Sequence, residues 1–241
     1  MSFTRGAVNP NYRKIDFIQR SALALGSGLI SLLNPSRGDM IAIFGETTAQ
    51  FTLDKMKQKM LSDPEGASIL SERPIINTKT INLEYLSKLP DNTFGNHYYK
   101  LLERDSITPD SRCVVNYIED DELAYVMRRY REIHDFTHCI LGMRTNLVGE
   151  VTVKWFEAIQ YDLPMCWLGG MFGSLRLKPK DTQKYLNYYL PWIIDNAINS
   201  KTLITVHFEK HFDCPIDELR QKLNLKPPPI PIVVNNKSNP N

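Results

Sequence analysis

The sequence predicts an all-α protein with many helices in a single domain, and three observations support this prediction. Apolar residues recur at the three- and four-residue spacing of an α-helix along most of the chain. A persuasive strand signal occurs only at residues 203–208, which have no obvious partner strand. A chain of 241 residues with 42% apolar content is also long enough to bury one sizeable core.

The domain is predicted to span residues 12–225. Residues 1–11 are predicted to be a flexible N-terminus or the remnant of a targeting presequence, because the first twenty residues are basic with a single acid, Asp16. Residues 226–241 are predicted to be a Pro-rich disordered tail, since proline lacks an amide donor and the apolar content falls there.

Each predicted helix has its own signal in the sequence. The first, at 12–34, carries apolar residues at helical spacing and is ended by Asn34-Pro-Ser-Arg-Gly38. Apolar periodicity and capping residues place the later helices near 47–61, 64–70, 82–89, 94–104, 121–141, 146–161, 181–199 and 215–223.

Charge and cysteine usage exclude some classes of function. The net charge is +2, and lysine and arginine are interspersed with acids, so nucleic-acid binding is not indicated. The four cysteines have neither CxxC pairing nor framework spacing, which favours reduced thiols over disulfides.

The most informative stretch is His134-Asp-Phe-Thr-His138 within the predicted helix 121–141. At ~100° per residue, both histidines lie on the same apolar line as Leu123, Met127 and Tyr130. Asp135 lies on the flank, ~60° round from His138, where it could still reach a bound ion.

A second helix brings a fourth candidate ligand, Glu150. Gly142 is a good C-cap and Asn146 a good N-cap, so residues 142–146 read as a turn between two antiparallel helices. His138 precedes this turn by four residues and Glu150 follows it by four, which puts them at the same height across the hairpin.

These four side chains predict a divalent metal site, although either histidine alone would more often be a hydrogen-bonded core residue. Burying two imidazoles and two carboxylates without an ion would bring like charges together in a low dielectric. Two nitrogens and two oxygens suit zinc, with iron, manganese or cobalt as alternatives. The zinc-protease motif has glutamate where Asp135 stands. A phosphohydrolase would need a further histidine upstream, which could be His97, and an aspartate far downstream, and nothing else supports that class.

The chain resembles the Coq-four family of mitochondrial ubiquinone (coenzyme Q) biosynthesis. The resemblance rests on His134-Asp135-x-x-His138 followed after eleven residues by Glu150, and it extends over most of residues 12–225. The blocks that carry it are 38–48, 120–134, 141–157 and 190–192.

The resemblance implies a mostly helical protein at the matrix face of the mitochondrial inner membrane, in a complex with other ubiquinone-synthesis proteins. It also implies a metal held by His134, Asp135, His138 and Glu150, and removal of the C1 carboxyl group of a polyprenylated hydroxybenzoate, either alone or coupled to hydroxylation. Glu150 is a candidate proton carrier. The alternative is a non-catalytic scaffold that holds the polyprenyl tail for other enzymes.

Membrane contact is expected to be peripheral. The uncharged stretch Ser21–Ser36 is shorter than the ~20 apolar residues that a spanning helix needs. The charge-free run 163–175 contains Gly169, Gly170 and Gly173, which would let either neighbouring backbones or a prenyl chain approach closely. The tyrosines of helix 181–199 suit either the membrane interface or the core. These glycine and aromatic surfaces also make self-association as a homodimer an expectation.

Overall fold

A computed structural model describes residues 7–230, and within this range the chain is helical with no extended strand. Backbone pairing of the β type is limited to two isolated bridges, Val8 with Asp120 and Thr93 with Pro215. The all-α prediction is confirmed.

Twelve α-helices occur in the described range. Their bounds are α1 Phe17–Leu33, α2 Gly38–Thr48, α3 Gln50–Ser62, α4 Pro64–Glu72, α5 Leu83–Lys88, α6 Phe94–Asp105, α7 Asp121–Leu141, α8 Leu147–Tyr161, α9 Pro164–Ser174, α10 Pro179–Lys184, α11 Leu190–Asn199 and α12 Ile216–Lys222. A π-helical turn at Tyr185–Tyr189 joins α10 to α11.

Helix α7 is the central element, and it packs against α3, α4, α6 and α8. Its start is capped by the side chain of Asp120, which accepts from the amides of Glu122 and Leu123. The sequence predicted an apolar stripe on one face, but the helix is buried around most of its circumference. Its charged residues therefore enter the core, where Arg129 pairs with Glu209.

The structure departs from the predicted elements in three places. The run Leu203–Phe208 forms 3-10 turns rather than a strand, and Leu203 and Phe208 are buried in the core. Residues 38–48, for which no helix was predicted, form α2, which packs along α1. The predicted helix 181–199 is divided by the π-helical turn, after which Pro191 stands in the first turn of α11.

The described parts of the two termini contact the domain. Asn9 is buried, and its side chain donates to the carbonyls of Val115 and Ile118. At the other end, the carbonyl of Lys226 accepts from Trp192. Residues 1–6 and 231–241, which include most of the predicted flexible N-terminus and tail, lie outside the described residues.

Within residues 7–230, none of the helices combines the length and the apolar character needed to cross a bilayer. Helix α1 nevertheless exposes large apolar side chains, with Phe17 83% and Leu25 77% accessible. Its capping box, formed by Asp16 and Gln19, fixes where the helix begins.

The end of α7 supplies a first test of the fold. Gly142 has φ of +67°, in the left-handed region, and a Cβ there would lie 3.1 Å from the Arg220 guanidinium. We expect Gly142→Ala to lower the free energy of unfolding by about 1 kcal/mol. Gly26 lies inside α1, where a Cβ would enter open space, so Gly26→Ala should raise it by up to about 1 kcal/mol. Urea denaturation would measure both, and equal effects of the two changes would contradict this account of the turn.

Candidate metal centre

The turn between α7 and α8 forms as the capping residues predict. The amide of Gly142 donates to the carbonyl of Cys139 at 3.0 Å, and that of Met143 to His138 at 2.9 Å. The Asn146 side chain then caps α8 by accepting from the Gly149 amide at 3.0 Å. The turn thus sets the height at which the first turn of α8 faces the last turns of α7.

Three of the four predicted ligands come together across this hairpin. The Nε2 atom of His134 lies 3.5 Å from Glu150 Oε2, and Nε2 of His138 lies 3.4 Å from Glu150 Oε1. One ligand atom from each of the three residues lies within 4.8 Å of the others. Two ligands of a tetrahedral zinc ion, with bonds near 2.0–2.1 Å, are separated by roughly 3.3 Å. The spacing of this cluster fits such an ion.

Asp135, the fourth predicted ligand, does not join the cluster. Its carboxylate is buried and forms an ion pair with Arg112, which lies in the segment between α6 and α7. The sequence predicted Asp135 on the flank of α7 within reach of an ion, whereas in the structure its carboxylate meets a guanidinium. The identity of a bound metal, and the part that Asp135 plays toward it, stay predictions.

His138 is the member of the cluster that most needs a partner. Its side chain is fully buried, yet neither ring nitrogen has a hydrogen-bond partner among residues 7–230. A buried polar nitrogen without a partner is costly. Its imidazole ring packs edge-on against that of His134, with centroids 4.8 Å apart. A cation between the two rings and Glu150 would satisfy Nε2 of His138, which faces Glu150 Oε1.

A second, fully buried layer fixes the orientation of His134. Its Nδ1 atom lies 2.7 Å from Glu157 Oε1, and Glu157 Oε2 accepts from Lys154 Nζ at 2.7 Å and from the Tyr130 hydroxyl at 2.9 Å. When the ring is neutral, a carboxylate that accepts a hydrogen bond from Nδ1–H leaves Nε2 as the free nitrogen, facing Glu150. The second layer therefore selects the tautomer that can bind a metal.

The charges of this network favour one another. Burial alone would raise the pKa of Glu157, but Lys154 and His134 hold it well below its ordinary value. Burial likewise opposes charge on Glu150, yet His134 and His138 hold its pKa well below the usual range. Burial and Lys154 lower the pKa of His134, and the two carboxylates outweigh them and raise it. Both acids are therefore ionised in this arrangement.

Two members of the cluster, His134 and Glu150, line a cavity of about 680 Å³, a size typical of small-molecule sites, whereas His138 is fully buried. The apolar part of the wall comes from α1, α2 and α9, and the polar part from α7, α8 and the segment before α7. The apolar side chains include Leu32, Ile41, Phe44, Met165, Leu168 and Phe172. The cavity can thus hold an apolar group beside the polar cluster.

The charge-free run forms α9, and only part of it faces the cavity. Gly169 and Gly173 line the wall, as expected of a groove for a prenyl chain. Gly170 does not, because a Cβ there would lie 3.1 Å from the indole ring of Trp155 on α8. Of the two expectations for Gly170, close packing of two helices is therefore confirmed and lining of the groove is wrong.

Sequence reasoning missed Lys154, Glu157 and Arg112. The first two could have been found from helical spacing, because they follow Glu150 by four and seven residues and so share its face of α8. Arg112 could not, since it lies in an irregular segment with no periodicity. His97, the alternative first ligand, is exposed on α6 and is not part of the cluster.

Comparison with known proteins gives one consistent result. The family model described as "Coenzyme Q (ubiquinone) biosynthesis protein Coq4" matches residues 10–229. The mitochondrial ubiquinone biosynthesis protein COQ4 homolog of Aedes aegypti is 47% identical over 90% of this chain and 79% of its own length. The homolog of Danio rerio, with the same description, is 43% identical over 97% of this chain and 86% of its own.

A solved structure shares the fold. It is the crystal structure of a protein from Nostoc punctiforme PCC 73102, named for ubiquinone biosynthesis, with a TM-score of 0.67 and 22% identity. The alignment covers 84% of this chain and 97% of the other.

The cluster is tested by removing one ligand. We expect His138→Ala to lose stoichiometric binding of zinc, because two of three donors hold a divalent ion far more weakly. His97→Ala, which removes an exposed histidine, should bind zinc as the unchanged protein does. Metal content after zinc loading and gel filtration measures both, and undiminished zinc in the His138 variant would disprove the site.

The second layer makes a separate prediction. Glu157→Gln keeps the shape of the side chain but removes the charge that orients His134, so zinc affinity should fall by about 10- to 100-fold. Glu132→Gln is the matched control, because Glu132 is also a buried acid on this hairpin but pairs with Arg128 away from the cluster. Competition with a chelator would measure the affinities, and equal losses in the two variants would indicate a general effect of removing a buried acid.

Proposed function

This chain belongs to the Coq-four family of coenzyme Q (ubiquinone) biosynthesis proteins, and from that premise we propose that it removes the C1 carboxyl group of a polyprenylated 4-hydroxybenzoate in a metal-dependent reaction. The observation that carries the proposal is the position of the His134, His138 and Glu150 cluster. His134 and Glu150 stand in the wall of a cavity that also has a large apolar part, and the buried His138 completes the cluster. A polar head group and a prenyl tail match the two parts of that wall.

The donor set fits a divalent cation, with zinc the first choice and iron, manganese or cobalt as alternatives. When bound, the ion would supply a positive charge that polarises a substrate carboxylate or phenolate. His134, His138 and Glu150 would hold it. Glu157 keeps His134 in the tautomer with Nε2 free, and Lys154 balances the charge of Glu157.

The chain's own residues also account for the proton steps. A para-hydroxybenzoate loses CO2 once its ring reaches the keto tautomer, in which C1 has gained a proton and the phenol oxygen has lost one. The bond from C1 to the carboxyl carbon then breaks, its electron pair restores the aromatic ring, and the phenol oxygen regains a proton. In this proposal the proton carrier is Glu150, which is an ionised carboxylate about one-third exposed at the cavity wall.

The apolar wall has a chemical role in this proposal. With a ligand bound, Leu168, Phe172 and their neighbours would help to keep water from the cluster, so that the interactions of charged groups there become stronger than in bulk solvent. The same side chains would hold the prenyl tail. The metal and the apolar lining would both be needed for turnover.

The proposed location is the matrix face of the mitochondrial inner membrane. The names of the relatives include the word mitochondrial. The exposed apolar side chains of α1 and Leu175 at the end of α9 support peripheral contact with lipid, since α1 and α9 also line the cavity. Association with other ubiquinone-synthesis proteins, and a homodimer, remain proposals of the same kind.

The reaction is tested by release of labelled CO2. Metal-loaded protein should release CO2 from a prenylated 4-hydroxybenzoate labelled at the carboxyl carbon, and Glu150→Gln should lower the rate even with metal in excess. The measurement is trapped label together with the mass of the product. A proton at C1 indicates simple decarboxylation, whereas an added oxygen that requires dioxygen indicates coupling to hydroxylation.

The control is the metal-free protein under the same conditions. If labelled CO2 never exceeds this control with any of the four metals, with or without dioxygen, the enzymatic proposal fails. Tight binding of the prenylated compound without turnover would then make a lipid-presenting scaffold the better account.

A further inference from the structure

Arg112 lines the cavity beside the cluster of His134, His138 and Glu150, and contacts with α7 hold it in place. Its guanidinium pairs with Asp135, which directly follows His134 in the chain. The next residue of the segment is also fixed, because Arg131 Nη1 donates to the Cys113 carbonyl at 3.0 Å. A charged side chain in a fixed segment is suited to recognition, since little entropy is lost when it binds.

Most of the donors of Arg112 remain unused by the protein. A guanidinium carries five N–H groups in a planar fork. Within residues 7–230, the ion pair with Asp135 is the one hydrogen bond that the Arg112 side chain makes, and its buried Nε has no acceptor. The side chain is only 28% exposed although its group is charged. Such a cation needs an acceptor that the described chain does not supply.

The other cations of the cavity wall are already engaged or lie at the rim. Arg131 donates to two carbonyls and to Glu46, with Nη2–Oε1 at 2.8 Å. Lys154 is bound by Glu157 and Tyr130. Arg176 is exposed to solvent near the end of α9. Among the cations that line the described part of the cavity, Arg112 is therefore the one that is largely buried and still has N–H groups without acceptors.

Arg112 lines the same cavity as His134 and Glu150, so its guanidinium offers a positive charge to an acidic ligand held there. A planar guanidinium can bind a carboxylate through two parallel N–H···O bonds, which are stronger than bonds between neutral groups.

We propose that Arg112 is the residue that recognises the carboxylate of the cavity's ligand, with Asp135 as the positioning residue that holds the guanidinium in place. The inference rests on the proposed function for the nature of the ligand, an aromatic acid with an apolar chain. It gives Asp135 a role that differs from metal binding. Arg112 would also determine the preference for the acid over its decarboxylated product, because the product lacks the carboxylate that the guanidinium binds.

The test compares two probes that differ only in the carboxylate, 3-geranyl-4-hydroxybenzoate and 2-geranylphenol. Dissociation constants are measured by calorimetry on the purified full-length chain, both zinc-loaded and after chelation. The chelated protein should prefer the acid, and Arg112→Gln should weaken binding of the acid by about 10- to 100-fold while leaving the phenol unchanged. Arg112→Lys, which keeps the charge without the fork, should recover only part of the loss.

Arg128→Gln is the matched control. Arg128 also pairs with a buried carboxylate on α7, that of Glu132, but it does not line the cavity. Both changes remove the guanidinium partner of a buried acid, so their effects on thermal unfolding should be similar, and only the Arg112 variant should lose preference for the acid. Equal loss in both variants would mean a general structural effect and would overturn the proposal.

Failure of this inference can be told from failure of the proposed reaction. If the Arg112 variant keeps the preference for the acid while the unchanged protein releases CO2, the role of Arg112 is overturned and the reaction stands. If CO2 is never released but the preference depends on Arg112, the reaction fails and the carboxylate site stands. A preference that disappears with zinc removal alone would assign recognition to the metal and overturn the role of Arg112.

Discussion

The rest of the site depends on the contacts that the buried carboxylate of Glu157 makes with its neighbours. This carboxylate is fully enclosed, yet it lies between a histidine, a lysine and a tyrosine that each direct a polar atom at it. Burial of a carboxylate without such partners would cost several kcal/mol. Glu157 can remain ionised in the core only because Lys154 and His134 are present. His134 in turn faces the cavity with Nε2 only because Glu157 binds Nδ1.

Helix α7 shows why the core contains so much charge. A helix that packs on four neighbours must bury nearly all its side chains, whatever their type. Arg129 and Arg131 are accommodated by Glu209 and Glu46, which come from distant parts of the chain. Glu46 also accepts from the amides of the segment that follows Arg112. The same pairing that lets α7 enter the core thus fixes the loop that forms one wall of the cavity.

The local parts of this arrangement were predictable from the sequence. Helices α7 and α8, the turn at 142–146 and the approach of Glu150 to the two histidines all follow from periodicity, capping and rise per residue. The parts that depend on contacts distant in the chain were not. The apolar run 203–208 looked like a strand because its composition reflects burial, and burial in a helical core selects the same residues. Asp135 was predicted to reach an ion, but its partner in the structure is Arg112, which lies 23 residues earlier in a segment without regular structure.

The difference between the two acids of α8 explains how one helix face can serve two purposes. Glu150 lies in the first turn, about one-third exposed toward the cavity, whereas Glu157 lies two turns deeper and is 1% exposed. An acid at the mouth of a cavity can exchange protons and meet ligands. An acid in the core, surrounded by fixed donors, can only orient its neighbours. Under the proposed function, the more exposed Glu150 would therefore take the reactive role and the buried Glu157 the positioning role, with His134 as the side chain that contacts both.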